Sequence, residues 1–571
     1  MKTRTVIAVI SLVLAGCGGG QEKVEPVRGV LHAGKIQGVG FRTPTQAGAT
    51  DANGEFSYLP GETVTFHIGS VEIGSAPGTA DINLFTLAGL TPPSTEYSLR
   101  RELDLARRTH TPFTRAANID RLLIGLDADG NPDNGLDVRG KAALLEGAGI
   151  DFDLGIFEFD DLLYRRVPDL VRGFPPWWSV VNLYRSLGLA VPVHAQTRID
   201  YESNSGLPAV VNALRYHPDG SIAADELDLN GDDVADQRYL YQTDAQGRLT
   251  SLTGRRDTNL DGTEDDVYST RTTFDSRGDR VSQEQLYDFD GDGGWDERYA
   301  NAPTLDRFGR TISGMQIRDT GNDGSVDGRD TYTASWNAHG YPIEQVWSSD
   351  ADADGVIDDR SITRWQWDAA DRPLTRIQEL DDDANGVVDA RYTDTYEYGG
   401  PGPATAQTSE ADYDMDGIAD SRAIYRWTYD RAGNQLTRSY EEDFFADGDI
   451  DQRSSAVATY DAGRRELTSV RSDDLDGNGA VETVESQSVV FDSIGNRQSM
   501  GSEYDANADG VIDARFSEVS EYGAGGELLA TGFGGDQDGD GFPDTRTTIR
   551  VTNEVLADGV LHLAQWYFMR N

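Results

Sequence analysis

The sequence predicts a mainly β chain: a small N-terminal β-sandwich, a short helical region, and then an elongated array of about eleven β-hairpin repeats. Three observations carry this. An eleven-residue pattern, D-x-[DN]-x-[DN]-G-x-x-[DE]-x-R, recurs from Asp228 to Arg546, and after one opening interval of 29 residues its copies are 31 apart. Each copy is followed by a strand with aromatic residues at alternate places, as at Tyr425, Trp427 and Tyr429. A turn such as Asp430-Arg431-Ala432-Gly433-Asn434 then leads into a second apolar run. A fixed period of this length means stacked copies of one supersecondary unit that cannot bury its own apolar face. Strands of about eight residues, roughly 27 Å long, would stack side by side into a ribbon or solenoid. A closed β-propeller with two hairpins per blade is the alternative, which an odd number of copies fits less easily.

Residues 1–16 form a basic start (Lys2, Arg4) and an apolar run ending in Leu14-Ala15-Gly16-Cys17. This resembles the lipobox of bacterial lipoproteins. The resemblance implies cleavage before Cys17, lipidation of that residue, stable anchoring in a membrane, and, with Gly18 following, the outer membrane. Residues 17–27 then read as a lipidated tether. Cys17 is the only cysteine of the 571 residues, so no disulfide forms within the chain.

Residues 28–90 read as short strands between Gly, Pro and Asp-rich turns. Gly48 to Tyr58 (G-A-T-D-A-N-G-E-F-S-Y) resembles the signature of transthyretin-like or carboxypeptidase-regulatory-like sandwich modules, usually stalks or spacers. Within it, Asp51 and Asn53 serve the turn by bonding their own backbone. Residues 91–196 read as mainly helical, in Ser98 to Arg108, Asn118 to Leu126, Lys141 to Glu146 and Asp160 to Arg166. The run Asn118 to Asn131 resembles a segment that accompanies such sandwiches in bacterial surface lipoproteins. Asp127, Asp129 and Asn131, with Asp133 and Asp137, would make either one cation site or a turn that ends a helix. Trp177 and Trp178 suit core or interface packing. Residues 197–227 are assigned as the joint and first hairpin, and 228–571 as the repeats.

The repeat has a definite chemistry. Its first position is Asp228, Asp257, Asp288, Asp319, Asp350, Asp381, Asp412, Asp443, Asp474, Asp505 and Asp536. The third carries Asn230, Asn259, Asp290, Asp352, Asp383, Asp414, Asp476, Asn507 and Asp538, but Gly321 and Phe445 in two copies. The fifth carries Asp232, Asp261, Asp292, Asp323, Asp354, Asn385, Asp416, Asp447, Asn478, Asp509 and Asp540. The ninth is Asp236, Asp265, Asp296, Asp327, Asp358, Asp389, Asp420, Asp451, Glu482, Asp513 and Asp544. Four carboxylates in one tight turn repel one another, and Ca²⁺, which takes six to eight oxygens in a flexible shell, resolves that repulsion. Glycine at the sixth position lets the chain bend round the ion. The loops resemble the D-x-D-x-D-G loops of thrombospondin type 3, dockerin and integrin-type repeats rather than EF-hands. The hairpin half resembles the Y-D-x-x-G repeats of RHS/YD proteins, without their autoproteolytic motif. Solvated turns holding no metal are the competing reading, and the loops at Gly321 and Phe445 are expected to bind weakly or not at all. Arginine at the eleventh position is expected to pair with a neighbouring loop carboxylate.

With 98 acidic and 50 basic side chains, the chain carries a formal charge of −48. That balance repels phosphate and argues against nucleic acid as a partner. Eleven divalent ions would lower it by 22, to −26. The seven histidines show no zinc-like spacing, no phosphate-cradling loop is present, and the chain is read as a non-enzyme. The expectation from sequence is a calcium-binding lipoprotein of the outer membrane, facing the periplasm or the cell surface. It would act as adhesin, scaffold or spacer, with a surface glycan or protein as partner. A carbohydrate-binding protein using exposed aromatics is the alternative, and a hydrolase a more distant one.

Overall fold

In the computed structural model, which describes residues 25–167, 170, 174–204 and 210–569, the repeats neither run out as a ribbon nor divide into blades. They close into one antiparallel barrel of 24 strands. The elongated array and the propeller are thus both corrected, and the pairing gives the reason. An open ribbon exposes an unpaired edge at each end, a standing invitation to aggregate, and closure removes both edges. The strand Val193–Ser203 pairs with Val210–Tyr216 on one side and, from Val193↔Leu556 to Ser203↔Thr547, with the last strand, Thr545–Leu556, on the other. A twelfth hairpin, built from residues read as the joint, completes the ring. It has no Asp-rich loop, which is why the period does not reveal it.

Each repeat is a hairpin of strands about nine residues long, such as Asp359–Trp367 and Pro373–Asp381. The Asp-rich loops all connect strands at one end of the barrel. At the other end are the Asp-x-x-Gly turns, where Asp275 Oδ1 accepts the N–H groups of Arg277 and Asp279. At five turns the preceding aromatic bonds to the repeat before: Trp336 Nε1 donates to the carbonyl of Thr311, Trp367 Nε1 to Pro342, and the Tyr398, Tyr460 and Tyr522 hydroxyls to Pro373, Gln435 and Arg497. Asn553, at the equivalent place in the last strand, makes the same contact through its amide to the carbonyl of Leu528.

The apolar core lies elsewhere. Its residues run from Leu31 to Val193 and from Val560 to Phe568, so it belongs to an N-terminal domain plus the C-terminal helix Val560–Met569 that returns to it. That domain holds a three-stranded and a four-stranded sheet, with helices Glu96–Ala106, Pro112–Leu126, Ile156–Arg166 and Trp178–Ser186. Thr95 and Thr111 cap the first two of these helices through capping boxes. Asp51 Oδ1 accepts the N–H groups of Asn53 and Glu55, which makes it the turn residue of its loop.

The domain sits across the turn end of the barrel. Tyr97 bonds Ser493, the Arg108 guanidinium donates to the Gly463 carbonyl, Arg464 to that of Arg108, and Arg165 to the Tyr341 hydroxyl on the far side of the ring. A cavity of about 540 Å³ lies between this cap and the strand face carrying Glu518, Thr531, Phe533 and Ile549, so that face lines the lumen. Cross-strand register carries the same face round to Trp427, Tyr392, Trp365, Tyr332 and Tyr268. The alternating strand aromatics therefore line the interior. The opposite face has charge in mid-strand: Arg364 pairs with Glu344 and Glu379, and Arg426 with Glu441. A wall that spans lipid needs an outward apolar band, and these mid-strand charges interrupt one. No helix among the described residues is long and apolar enough to cross a membrane.

Candidate metal centre at the barrel rim

The eleven loops share one backbone trace. In every copy the first-position Asp accepts the N–H of the sixth residue through Oδ2, at 2.6 to 3.2 Å. The fifth-position side chain accepts the N–H of the seventh residue in all eleven. The ninth-position acid reaches back to the N–H of the second at 2.6 to 2.7 Å. The fourth and sixth residues both have positive φ, from Gly231 and Asp233 to Gly539 and Gly541. Non-glycine residues at the fourth position, such as Ala353 at φ 55° and Leu260 at 62°, accept a strained conformation that the rest of the loop enforces.

What this trace leaves over is oxygen. Carboxylate oxygens of the first, third and ninth residues lie within 4.8 Å of one another in the sets Asp288/Asp290/Asp296, Asp350/Asp352/Asp358, Asp381/Asp383/Asp389 and Asp412/Asp414/Asp420. Charges held this close repel one another, most where burial keeps water from screening them. The fifth residue stands outside these sets. Oδ1 of Asp288, Asp350, Asp381, Asp412, Asp474 and Asp536 is buried with no hydrogen-bond partner. Asp350 is 2 % exposed and Asp536 4 %. A buried, unpaired carboxylate oxygen facing two more carboxylates fits a hard divalent cation with oxygen ligands. Where the loop's own donors are more numerous, the acids stay easily ionised. The Thr258 hydroxyl and the Asn259 N–H hold Asp265 below the usual carboxylate range. The Ser325 N–H does the same for Asp323. Burial pushes Asp536 up, but the Gly541 N–H and the Arg515 guanidinium outweigh it and hold it low.

The eleventh-position arginines divide. Arg329, Arg453 and Arg515 donate to Oδ2 of Asp350, Asp474 and Asp536 in the following loop. Arg238, Arg298, Arg391 and Arg422 pair instead with strand glutamates Glu226, Glu284, Glu379 and Glu410. The cluster at Asp127 is a turn: Asp127 accepts the N–H groups of Asn131 and Asp137, and the Lys141 ammonium takes the Asp127 carbonyl. Cys17 lies outside the described residues.

One cluster escapes any reading of the sequence, because its members are far apart in the chain. His194 Nδ1 lies 2.6 Å from Glu96 Oε2 and its Nε2 3.9 Å from Glu527 Oε1, which ties cap, first strand and last turn together. Glu96 also holds Arg100 at 2.6 Å.

No family model and no curated protein matches the sequence. Among solved structures the chain is similar to a porin-like protein from Bacteroides uniformis (11% identity, 45% of this chain and 96% of that one, TM-score 0.20). It is also similar to a porin-like protein from Bacteroides vulgatus (14%, 36% and 100%, TM-score 0.19). A third is the TcdB2-TccC3-TEV structure (11%, 64% and 24%, TM-score 0.19), of whose length this chain spans about a quarter. At such scores the superpositions assign neither fold nor function.

Proposed function

We propose that this protein is a calcium-binding, non-enzymatic lipoprotein of the outer membrane, held there through Cys17, whose barrel wall serves as a rigid scaffold or adhesive spacer. The observation that carries the calcium reading is the set of buried, unpartnered first-position oxygens facing further carboxylates at the rim. Loops of this kind bind with millimolar to submillimolar dissociation constants, so they fill outside the cell and not inside it. Titration calorimetry of the lipidated chain with Ca²⁺, and with Mg²⁺ as competitor, tests the ion. Fractionation of a Cys17→Ser variant tests the anchor. Heat of binding only with Mg²⁺, or unchanged membrane recovery of the variant, would refute the corresponding half.

A second reading rests on the lumen. Tyr425 and Trp427 lie 5.9 Å apart and parallel to within 6°, with Tyr440 4.9 Å from Tyr425, on the face shared with Arg438 and Ser454. Stacked rings beside polar groups suit a glycan entering at the open rim. Binding on a glycan array that is lost in Trp427→Ala would favour it, and unchanged or absent binding would set it aside.

A further inference from the structure

We infer that the rim holds two classes of loop and that six of the eleven are the tight ion sites, an inference that rests on the calcium reading above. The first-position Oδ1 is left without a partner in six loops, those beginning at Asp288, Asp350, Asp381, Asp412, Asp474 and Asp536. These are the six that carry aspartate at the third position: Asp290, Asp352, Asp383, Asp414, Asp476 and Asp538. In the other five the same oxygen is satisfied by the loop itself. Asp257 Oδ1 accepts the Asp261 N–H, Asp319 that of Asp323, Asp443 that of Asp447, Asp505 those of Asn507 and Asp509, and Asp228 those of Asn230 and Gly231.

The third residue accounts for the split. In the Asp257 loop the Asn259 amide donates to Asp265 Oδ1 at 3.0 Å, placing a hydrogen where a cation would otherwise bridge. The Asn230 amide stands toward Asp236 in the same way at 3.5 Å. Gly321 and Phe445 supply no side-chain oxygen. A third carboxylate pushes the first one's oxygen out of its backbone bond and leaves three charges to be neutralised; an amide, glycine or phenyl leaves the loop closed on its own donors. Ligand charge is the main lever on calcium affinity, so the five loops bind at least about tenfold more weakly than the six.

The order round the rim fits this division. The arginines that reach forward, Arg329, Arg453 and Arg515, belong to loops of the self-satisfied class, and each contacts Oδ2 of the carboxylate-rich loop that follows, leaving Oδ1 free. Three of the five weaker loops thus buttress a tight neighbour.

The test is equilibrium dialysis of the full-length lipidated chain in detergent against radioactive Ca²⁺, counting the ions in the tightest class. Six are expected, five in Asp352→Asn and seven in Asn259→Asp, the second variant adding a carboxylate without removing a contact to the backbone. Eleven equivalent ions, or any tight class other than six, overturns the division while leaving calcium binding intact. The absence of bound calcium refutes the calcium reading itself, and variants that leave the count at six refute the role of the third position.

Discussion

At the residue scale, the rim turns on whether one carboxylate oxygen has a partner. Asp350 gives Oδ2 to the Gly355 N–H and Arg329, and keeps Oδ1 unpaired against Asp352 and Asp358. Asp350→Asn keeps an acceptor for Gly355 and removes one of three charges. In chelator the variant is expected to melt at or above the parent temperature, and in Ca²⁺ below it by an amount worth about 1–3 kcal/mol. Melting below the parent in both buffers would show that the carboxylate serves packing rather than an ion. A different acid, Asp120, lies fully buried in the cap with both oxygens on the Asn182 amide, and burial pushes its carboxyl up to about 8. The sign follows from linkage: between the unfolded value near 3.8 and about 8 the folded chain keeps a proton that the unfolded chain releases, so stability falls as pH rises through that window. Asp120→Asn is expected to remove this slope and to gain roughly 2–4 kcal/mol over the parent at pH 8 relative to pH 4, read by urea unfolding. Parallel pH profiles would contradict it. The positions of the clustered acids were legible in the sequence because oxygen-bearing residues recur at fixed spacing. Which first-position oxygen is spare was not, because that depends on backbone donors that only the folded loop brings near.

At the scale of the element, six repeats are bolted to the one before by a side-chain bond at the turn end, from Trp336, Trp367, Tyr398, Tyr460, Tyr522 or Asn553, and loops also touch at the rim. Trp367 donates its indole N–H to the Pro342 carbonyl at 2.7 Å. Trp367→Phe keeps the ring and loses the bond, an expected cost of about 1 kcal/mol in chemical denaturation; no change would mean that water satisfies the carbonyl equally well. At the rim, a β-carbon on Gly477 would lie 1.7 Å from the Ile450 carbonyl of the previous loop, at φ 68°. Alanine occupies the equivalent place at Ala353 with φ 55°. Gly477→Ala is therefore expected to cost about 1–3 kcal/mol, and Ala353→Gly to cost nothing or to stabilise slightly. The hairpin, its turn and its Asp-rich loop end could all be read from periodicity, since alternation and turn residues are local signals. The cap's grip could not: Glu96, half-buried His194 and Glu527 come together across a separation that no local pattern registers.

At the scale of the molecule, the sequence reading had the right unit and the wrong assembly. Periodicity specifies the unit, whereas closure depends on accumulated twist and on a twelfth hairpin that lacks the motif. With 24 strands about 4.8 Å apart, the wall is roughly 40–50 Å across and encloses a lumen too wide for side chains to fill. Among the described residues the apolar core accordingly lies in the cap rather than in the barrel, whose strands depend on ladder bonds, inter-repeat contacts and the state of the rim. The seam is directly testable, because Tyr201 and Ile549 face each other across it. Cysteines at these two positions are expected to crosslink within one chain on mild oxidation. Only intermolecular products would restore the open array.

The central claim is that divalent ions relieve an acidic rim and thereby hold the ring closed. Scanning calorimetry of the lipidated chain, first in millimolar Ca²⁺ and then in chelator, reads this most directly. The account predicts that the barrel transition falls by 10 °C or more, on the order expected when several such sites empty, while the cap, built on its own apolar core, melts nearly unchanged. Coincident transitions in the two buffers would contradict it.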